Sequence, residues 1–140
     1  MGSIFDILGP VMVGPSSSHT AGAVRIGQIA RQLFGRQPEK ATVYLHGSFA
    51  ATGKGHGTDK ALIAGLLGMK PDDMRIPHSF EIAKEQGMDF VIENKDIKGA
   101  HPNTAQIIME AEGKKAMKIQ AYSIGGGRIR VSKLDGIDVN

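Results

Sequence analysis

None of the 140 residues is a cysteine, which excludes disulfides and any thiolate-held zinc or iron–sulfur centre built by this chain alone. A cluster could reach it only on a partner. Long apolar runs are also missing: no stretch approaches the roughly 18 residues a membrane span needs, and no charged-then-apolar leader opens the chain. The expectation is a cytoplasmic protein that does not engage a membrane. Aromatic residues are sparse, with five Phe, two Tyr and no Trp. They are scattered, not interleaved with Lys114, Lys115, Lys118, Arg128, Arg130 and Lys133, the basic residues near the C-terminal end. With no nucleic-acid motif present, the net charge of +3 is better explained by a solvated sheet face than by a nucleic-acid partner.

What is present suits one globular domain spanning 1–140, since 41% hydrophobic and 22% charged residues can build a core under a soluble surface. Glycine is abundant, at 19 residues, and several glycines flank histidines, where a small residue lets a ligand approach the backbone. Ile4, Phe5, Ile7 and Leu8 form a short apolar opening. Ile26, Ile29, Ala30, Leu33 and Phe34 then recur at three- and four-residue intervals before Gly35, the pattern of a helix with one buried stripe. Ala41 to His46 reads as a strand, and 47–53 has helical character before a glycine-studded loop. Thr58 or Asp59 is placed to cap a helix carrying Leu62, Ile63, Leu66 and Leu67. A brief helix is expected from Pro77 to Gly87, and a strand from Met88 to Glu93.

From Thr104 the period changes to two. Ala105, Ile107, Met109 and Ala111 alternate with Gln106, Glu110 and Glu112; Met117, Ile119 and Ala121 alternate with Lys118, Gln120 and Tyr122; Ile129 and Val131 alternate with Arg128 and Arg130. Separated by glycine turns, these runs predict an antiparallel meander with one solvated face. The fold class is α+β, with helices packed on one side of a mostly antiparallel sheet. No terminal element is expected at Asp138–Asn140.

Three polar clusters sit at junctions between these elements, where loops on a rigid scaffold carry function. The first is Ser16, Ser17, Ser18, His19 and Thr20, after Gly14-Pro15 and at the start of a helix. A helix start presents unpaired N–H groups and a partial positive charge, so four hydroxyls there exceed the need for a cap and suggest a carboxylate or phosphate seat. The second is Lys54-Gly55-His56-Gly57-Thr58-Asp59, and the third His101-Pro102-Asn103-Thr104. His46 and His78, at a strand end and a helix start, fit structural or exposed roles. Familiar signatures fail: five residues, not four, separate Gly47 from Gly53, and Gly55 stands where a P-loop needs a hydroxyl.

Taken together, Gly-Pro-Ser-Ser-Ser-His-Thr-Ala-Gly-Ala at 14–23, Gly-Lys-Gly-His-Gly-Thr-Asp-Lys-Ala-Leu at 53–62 and His-Pro-Asn-Thr at 101–104 resemble the β chain, or β domain, of the iron–sulfur-dependent L-serine dehydratases. The motifs keep the family's order along the whole chain, and the fold expected is similar to that of allosteric substrate-binding domains. The resemblance implies conversion of L-serine to pyruvate and ammonia with a [4Fe–4S] cluster in place of pyridoxal phosphate. The cluster cysteines would belong to a partner α chain, and an open iron site would polarise the leaving hydroxyl as a Lewis acid. His56, with His19 and His101 behind it, would take the α-proton. Ser16, Ser17, Ser18 and Thr20 would hold the substrate carboxylate. Asn103 and Thr104 would bind its polar groups, Lys54 would add positive charge, and Asp59 would orient a neighbour. The small ACT-type domain that often follows the family's β portion is absent from 1–140, and exposed strand edges offer the isolated chain a route to a homodimer. A non-catalytic anion- or amino-acid-binding regulatory domain, as in some phosphoglycerate dehydrogenases, is the alternative from another class.

Overall fold

A computed structural model describes residues 17–53 and 57–139, with backbone alone for 17–19. The apolar opening at residues 4–8 lies outside the described residues. The element order is α1 (Ser17–Phe34), β1 (Lys40–Leu45), α2 (Ser48–Gly53), α3 (Thr58–Leu66), a 3-10 turn (Ile76–His78), α4 (Ser79–Glu85), β2 (Asp89–Asn94), β3 (Thr104–Ala111), β4 (Lys114–Gly125), β5 (Arg128–Leu134) and β6 (Ile137–Asp138). The strands form one sheet in the order β2-β1-β3-β4-β5-β6. Only β1 and β2 run parallel, because the helices between them carry the chain back to start beside β1. The fold is α+β, as the patterning predicts.

Alternation decides which face the helices cover. Ala41, Val43 and Leu45 of β1, Ala105, Ile107 and Met109 of β3, and Ile119 and Ala121 of β4 are buried in the same cluster as Ala23, Val24, Ile26, Leu62, Ile63 and Leu66. Fully burying each Val, Leu, Ile or Met side chain among them stabilises the fold by about 1.5–3 kcal/mol. In α1, Ala30 and Phe34 continue the buried stripe, but Leu33 is 41% exposed and rotates out of it.

The two long helices are held together by glycine. At Gly27 a Cβ would sit 2.8 Å from the Leu66 nitrogen and 2.9 Å from the Gly65 Cα, and a Cβ on Gly65 would strike the Val24 carbonyl. The backbones of α1 and α3 therefore touch where they cross. Beyond that crossing, Gln28 Nε2 donates to the Met69 carbonyl at 2.9 Å, and an Arg31 guanidinium nitrogen donates to the Leu66 carbonyl at 3.2 Å. Both contacts lie C-terminal to both glycines, so the helices leave the crossing in the same sense and their N-termini lie on the same side.

Three expectations need correction. Neither Thr58 nor Asp59 caps α3: Gly57 occupies the cap with φ 96°, no side chain bonds there, and Asp59 Oδ1 instead accepts from the Lys60 N–H at 2.7 Å. The face of the meander turned from the helices is not wholly solvated, since Gln106 and Gln120 are only 6% and 7% exposed. Their amides bond one another across β3 and β4 at 3.0 Å, which lets them be buried at little cost. Finally, the C-terminal stretch does have an element: β6 pairs with β5 through Leu134–Ile137 and Lys133–Asp138.

Candidate functional site

Three close contacts bring the motif-bearing segments to one end of the sheet. At the first, the absent side chain of Gly22 leaves room for Ser123 of β4, whose Cβ would lie 2.7 Å from a Cβ at that position. The Ser123 N–H in turn donates to the Asn103 carbonyl at 3.0 Å. The opening turns of α1 thus lie over the place where β3 begins. At the second, Gly47 adopts φ 62° against the Pro102 backbone, and the Ser48 N–H donates to the Pro102 carbonyl at 2.7 Å. This ties the start of α2 to the 101–104 segment. The third is the Gly27–Gly65 crossing. Thr20 and Thr58 each precede their glycine by seven positions, or about 10 Å of helix, on the same side of the crossing.

The described candidate residues divide between the two faces of the sheet. Thr20 and Asp59 are each 8% exposed in the first turns of their helices, where the helix dipole favours the Asp59 carboxylate. Asn103 lies in the turn that leads into β3, where its carbonyl accepts from the Ser123 N–H. Its Oδ1 is buried without a hydrogen-bond partner among the described residues. A buried acceptor left unmet costs about 1–3 kcal/mol, and a ligand donor would relieve that cost. Thr104 is 1% exposed, and its hydroxyl donates to the His101 carbonyl at 2.6 Å, closing the loop on itself.

His101 stands apart. Its ring stacks on Tyr122 with centroids 4.7 Å apart and planes 15° from parallel. Tyr122 alternates with Ala121, so the stack lies on the face turned from the helices. Its Nδ1 accepts from the Asn103 N–H at 3.0 Å. Ser16, Lys54 and His56 lie outside the described residues, and Ser17, Ser18 and His19 are described only as helical backbone.

Of the two histidines read as structural or exposed, His46 is the former and His78 the latter. His46 accepts from the Ile97 N–H through Nδ1 at 2.9 Å, fixing the loop after β2, and His78 is exposed. Among the described residues no group of three or more His, Asp or Glu side chains is arranged to hold a metal ion. Sequence reasoning missed Ser123, 1% exposed and wedged against Gly22. Its place in an alternating run, nineteen positions past Thr104, gave no sign that it meets Gly22 of the first motif.

Comparison with known proteins places these features in a family. Residues 3–86 match the serine dehydratase beta chain family. The chain is similar to a probable L-serine dehydratase beta chain of Bacillus subtilis, 51% identical over 98% of this chain and 62% of the relative. It is 42% identical to an L-serine dehydratase beta chain of Peptoniphilus asaccharolyticus, again over 98% of this chain and 62% of that one. An Escherichia coli protein, L-serine dehydratase 2, is 35% identical across 91% of this chain and 33% of its own length. The chain thus spans about three fifths of the beta chains it matches and a third of the longer protein.

Proposed function

The chain belongs to the serine dehydratase beta chain family, and on that premise we propose that it is the β half of a cytoplasmic L-serine ammonia-lyase acting with an α chain. The observation that carries this is the buried, unpartnered Asn103 Oδ1 at the end of the sheet where the starts of α1 and α2 meet the 101–104 segment. An acceptor so placed calls for a donor, and the ammonium or hydroxyl of serine supplies one.

In this scheme the start of α1, with Ser16, Ser17, Ser18 and Thr20, binds the substrate carboxylate through hydroxyls and unpaired N–H groups. Lys54 adds charge, Asp59 holds the start of α3, and Asn103 orients the substrate from the opposite side. His56, flanked by Gly55 and Gly57, takes the α-proton, with His19 second. His101, whose ring lies across the sheet, is the weakest of the three for direct contact. Its bond from the Asn103 N–H and the Thr104 hydroxyl bond to its carbonyl suit it to hold Asn103 in place. Loss of the α-proton and the β-hydroxyl as water leaves an enamine, which tautomerises to an imine and takes up water to give pyruvate and ammonia.

With no cysteine in the sequence, this chain does not fit the ligand set of a [4Fe–4S] cluster. The cluster is assigned to the α chain, and this chain's share is binding and proton transfer. Anaerobic co-expression with a cysteine-bearing α chain, followed by iron analysis and a pyruvate assay, tests the proposal. Serine-dependent pyruvate is expected from the iron-containing complex alone. Dehydration of serine by the isolated, iron-free chain would overturn it.

A further inference from the structure

On the face of the sheet away from the helices, an open hollow of about 470 Å³ is lined by Lys98, His101, Gln120, Tyr122, Ser132, Lys133 and Asp138. Its polarity is set by groups that can act in only one direction. Lys95 Nζ can only donate, and it lies 3.4 Å from Gln106 Oε1, so the other end of that amide is the donor. Gln106 Nε2 donates to Gln120 Oε1 at 3.0 Å. The uncommitted end of Gln120 is therefore its NH₂ group.

His101 is fixed by the same reasoning. A backbone N–H can only donate, so the bond from Asn103 makes Nδ1 the acceptor and leaves the ring proton of the neutral imidazole on Nε2. The Ser132 hydroxyl is spent on the Gln120 carbonyl at 3.2 Å. The Tyr122 hydroxyl and the Lys98 ammonium have no hydrogen bond or ion pair among the described residues, and Lys133 is only loosely held, 4.0 Å from an Asp138 carboxylate that is 84% exposed. The groups left to meet a ligand are an amide NH₂, an imidazole N–H, a phenol and two ammonium ions. Every one of them can donate, and the one carboxylate among the lining residues, Asp138, is 84% exposed and paired only at 4.0 Å with Lys133.

We propose that this hollow binds a compact oxyanion, the carboxylate or phosphate group of a small molecule, at a place distinct from the helix-start site. The inference stands on the sheet's own hydrogen bonding and does not rest on the dehydratase proposal. The test is a titration of the full-length chain followed by amide and imidazole NMR, with inorganic phosphate in one arm and malonate in the other. Saturable shifts of the Gln120 side-chain NH₂ and the His101 ring are expected, with Kd in the range of about 0.1–10 mM. The arm that saturates distinguishes phosphate from carboxylate, and saturation in both identifies the shared oxyanion.

Gln120→Glu retains an acceptor for Gln106 but replaces the free donor with a carboxylate oxygen, so affinity should fall at least about 10-fold while the amide spectrum of the core is kept. Lys98→Ala, at an exposed position, should weaken binding by about 3-fold or more. Absence of saturation in both arms, shifts confined to the start of α1, or unchanged affinity in Gln120→Glu would each overturn the proposal.

Discussion

Replacing Gly27 by Ala separates two effects that usually travel together. In an exposed helix the change is favourable by about 0.8–1 kcal/mol, because alanine loses less backbone freedom on folding. Here the added Cβ would lie 2.8 Å from the Leu66 nitrogen and 2.9 Å from the Gly65 Cα, some 0.5–1 Å inside ordinary contact distances. The obstructing atoms belong to a backbone, which cannot rotate away as a side-chain tip can. Overpacking of this kind costs about 1–3 kcal/mol at sites able to relax, and two touching helix backbones fall at or beyond the upper end. The net expectation is a loss of about 2 kcal/mol or more in equilibrium urea denaturation. Gln32→Ala, at an exposed position of the same helix, should change stability by no more than about 0.5 kcal/mol. If Gly27→Ala instead raised the midpoint by the full helix-propensity gain, the close crossing of α1 and α3 would be refuted, and with it the placement of their N-termini.

Further consequences follow from single side chains. Asn103→Leu removes a buried acceptor with no partner among the described residues, so stability should be unchanged or rise by up to about 1–3 kcal/mol. Serine turnover by the assembled enzyme should nevertheless fall by on the order of 100-fold; stability lost in step with activity would make Asn103 merely structural. At the turn before α4, Arg75 grips Asp73 through side-chain bonds of 3.0 and 2.7 Å and a backbone N–H bond of 2.8 Å, and these hold the Asp73 carboxyl below its ordinary value of 3.8. A lowered folded value means the stabilisation is fully present above 3.8 and disappears as pH falls through the folded value. Melting profiles should therefore show wild type above Asp73→Asn at neutral pH and the gap closing in acid; a gap that widens in acid would contradict the sign.

Much of the architecture was legible because the sheet is half-buried. The odd-numbered apolar residues of β3 and β4 could be assigned to one face without knowing how the strands pair. Their register was not legible. The tight turn pairs Ala111 with Lys114, whereas beyond an irregularity at Met109/Ala111 the partners are Gln106–Gln120 and Thr104–Tyr122. An unbroken hairpin would have set Gln106 opposite Ile119. The buried Gln–Gln bond, and the hollow beside it, therefore could not be deduced.

The candidate site was legible in its parts and not in its assembly. Hydroxyls at a helix start and glycines around a histidine identify chemistry locally, but the contacts that gather them depend on Gly22 meeting Ser123 and Gly47 meeting Pro102. Those distances along the chain carry no periodic signal. The stacking of His101 on Tyr122, and the turn that buries Asn103 ahead of β3, became readable only once the start of β3 was fixed.

The most direct measurement of the central claim is anaerobic pyruvate formation by the reconstituted α–β complex carrying His56→Ala. If this chain supplies the proton acceptor to a metal centre held by its partner, turnover should fall by on the order of 100- to 10,000-fold while the complex still assembles with its full iron content. Wild-type turnover in that variant would contradict the account.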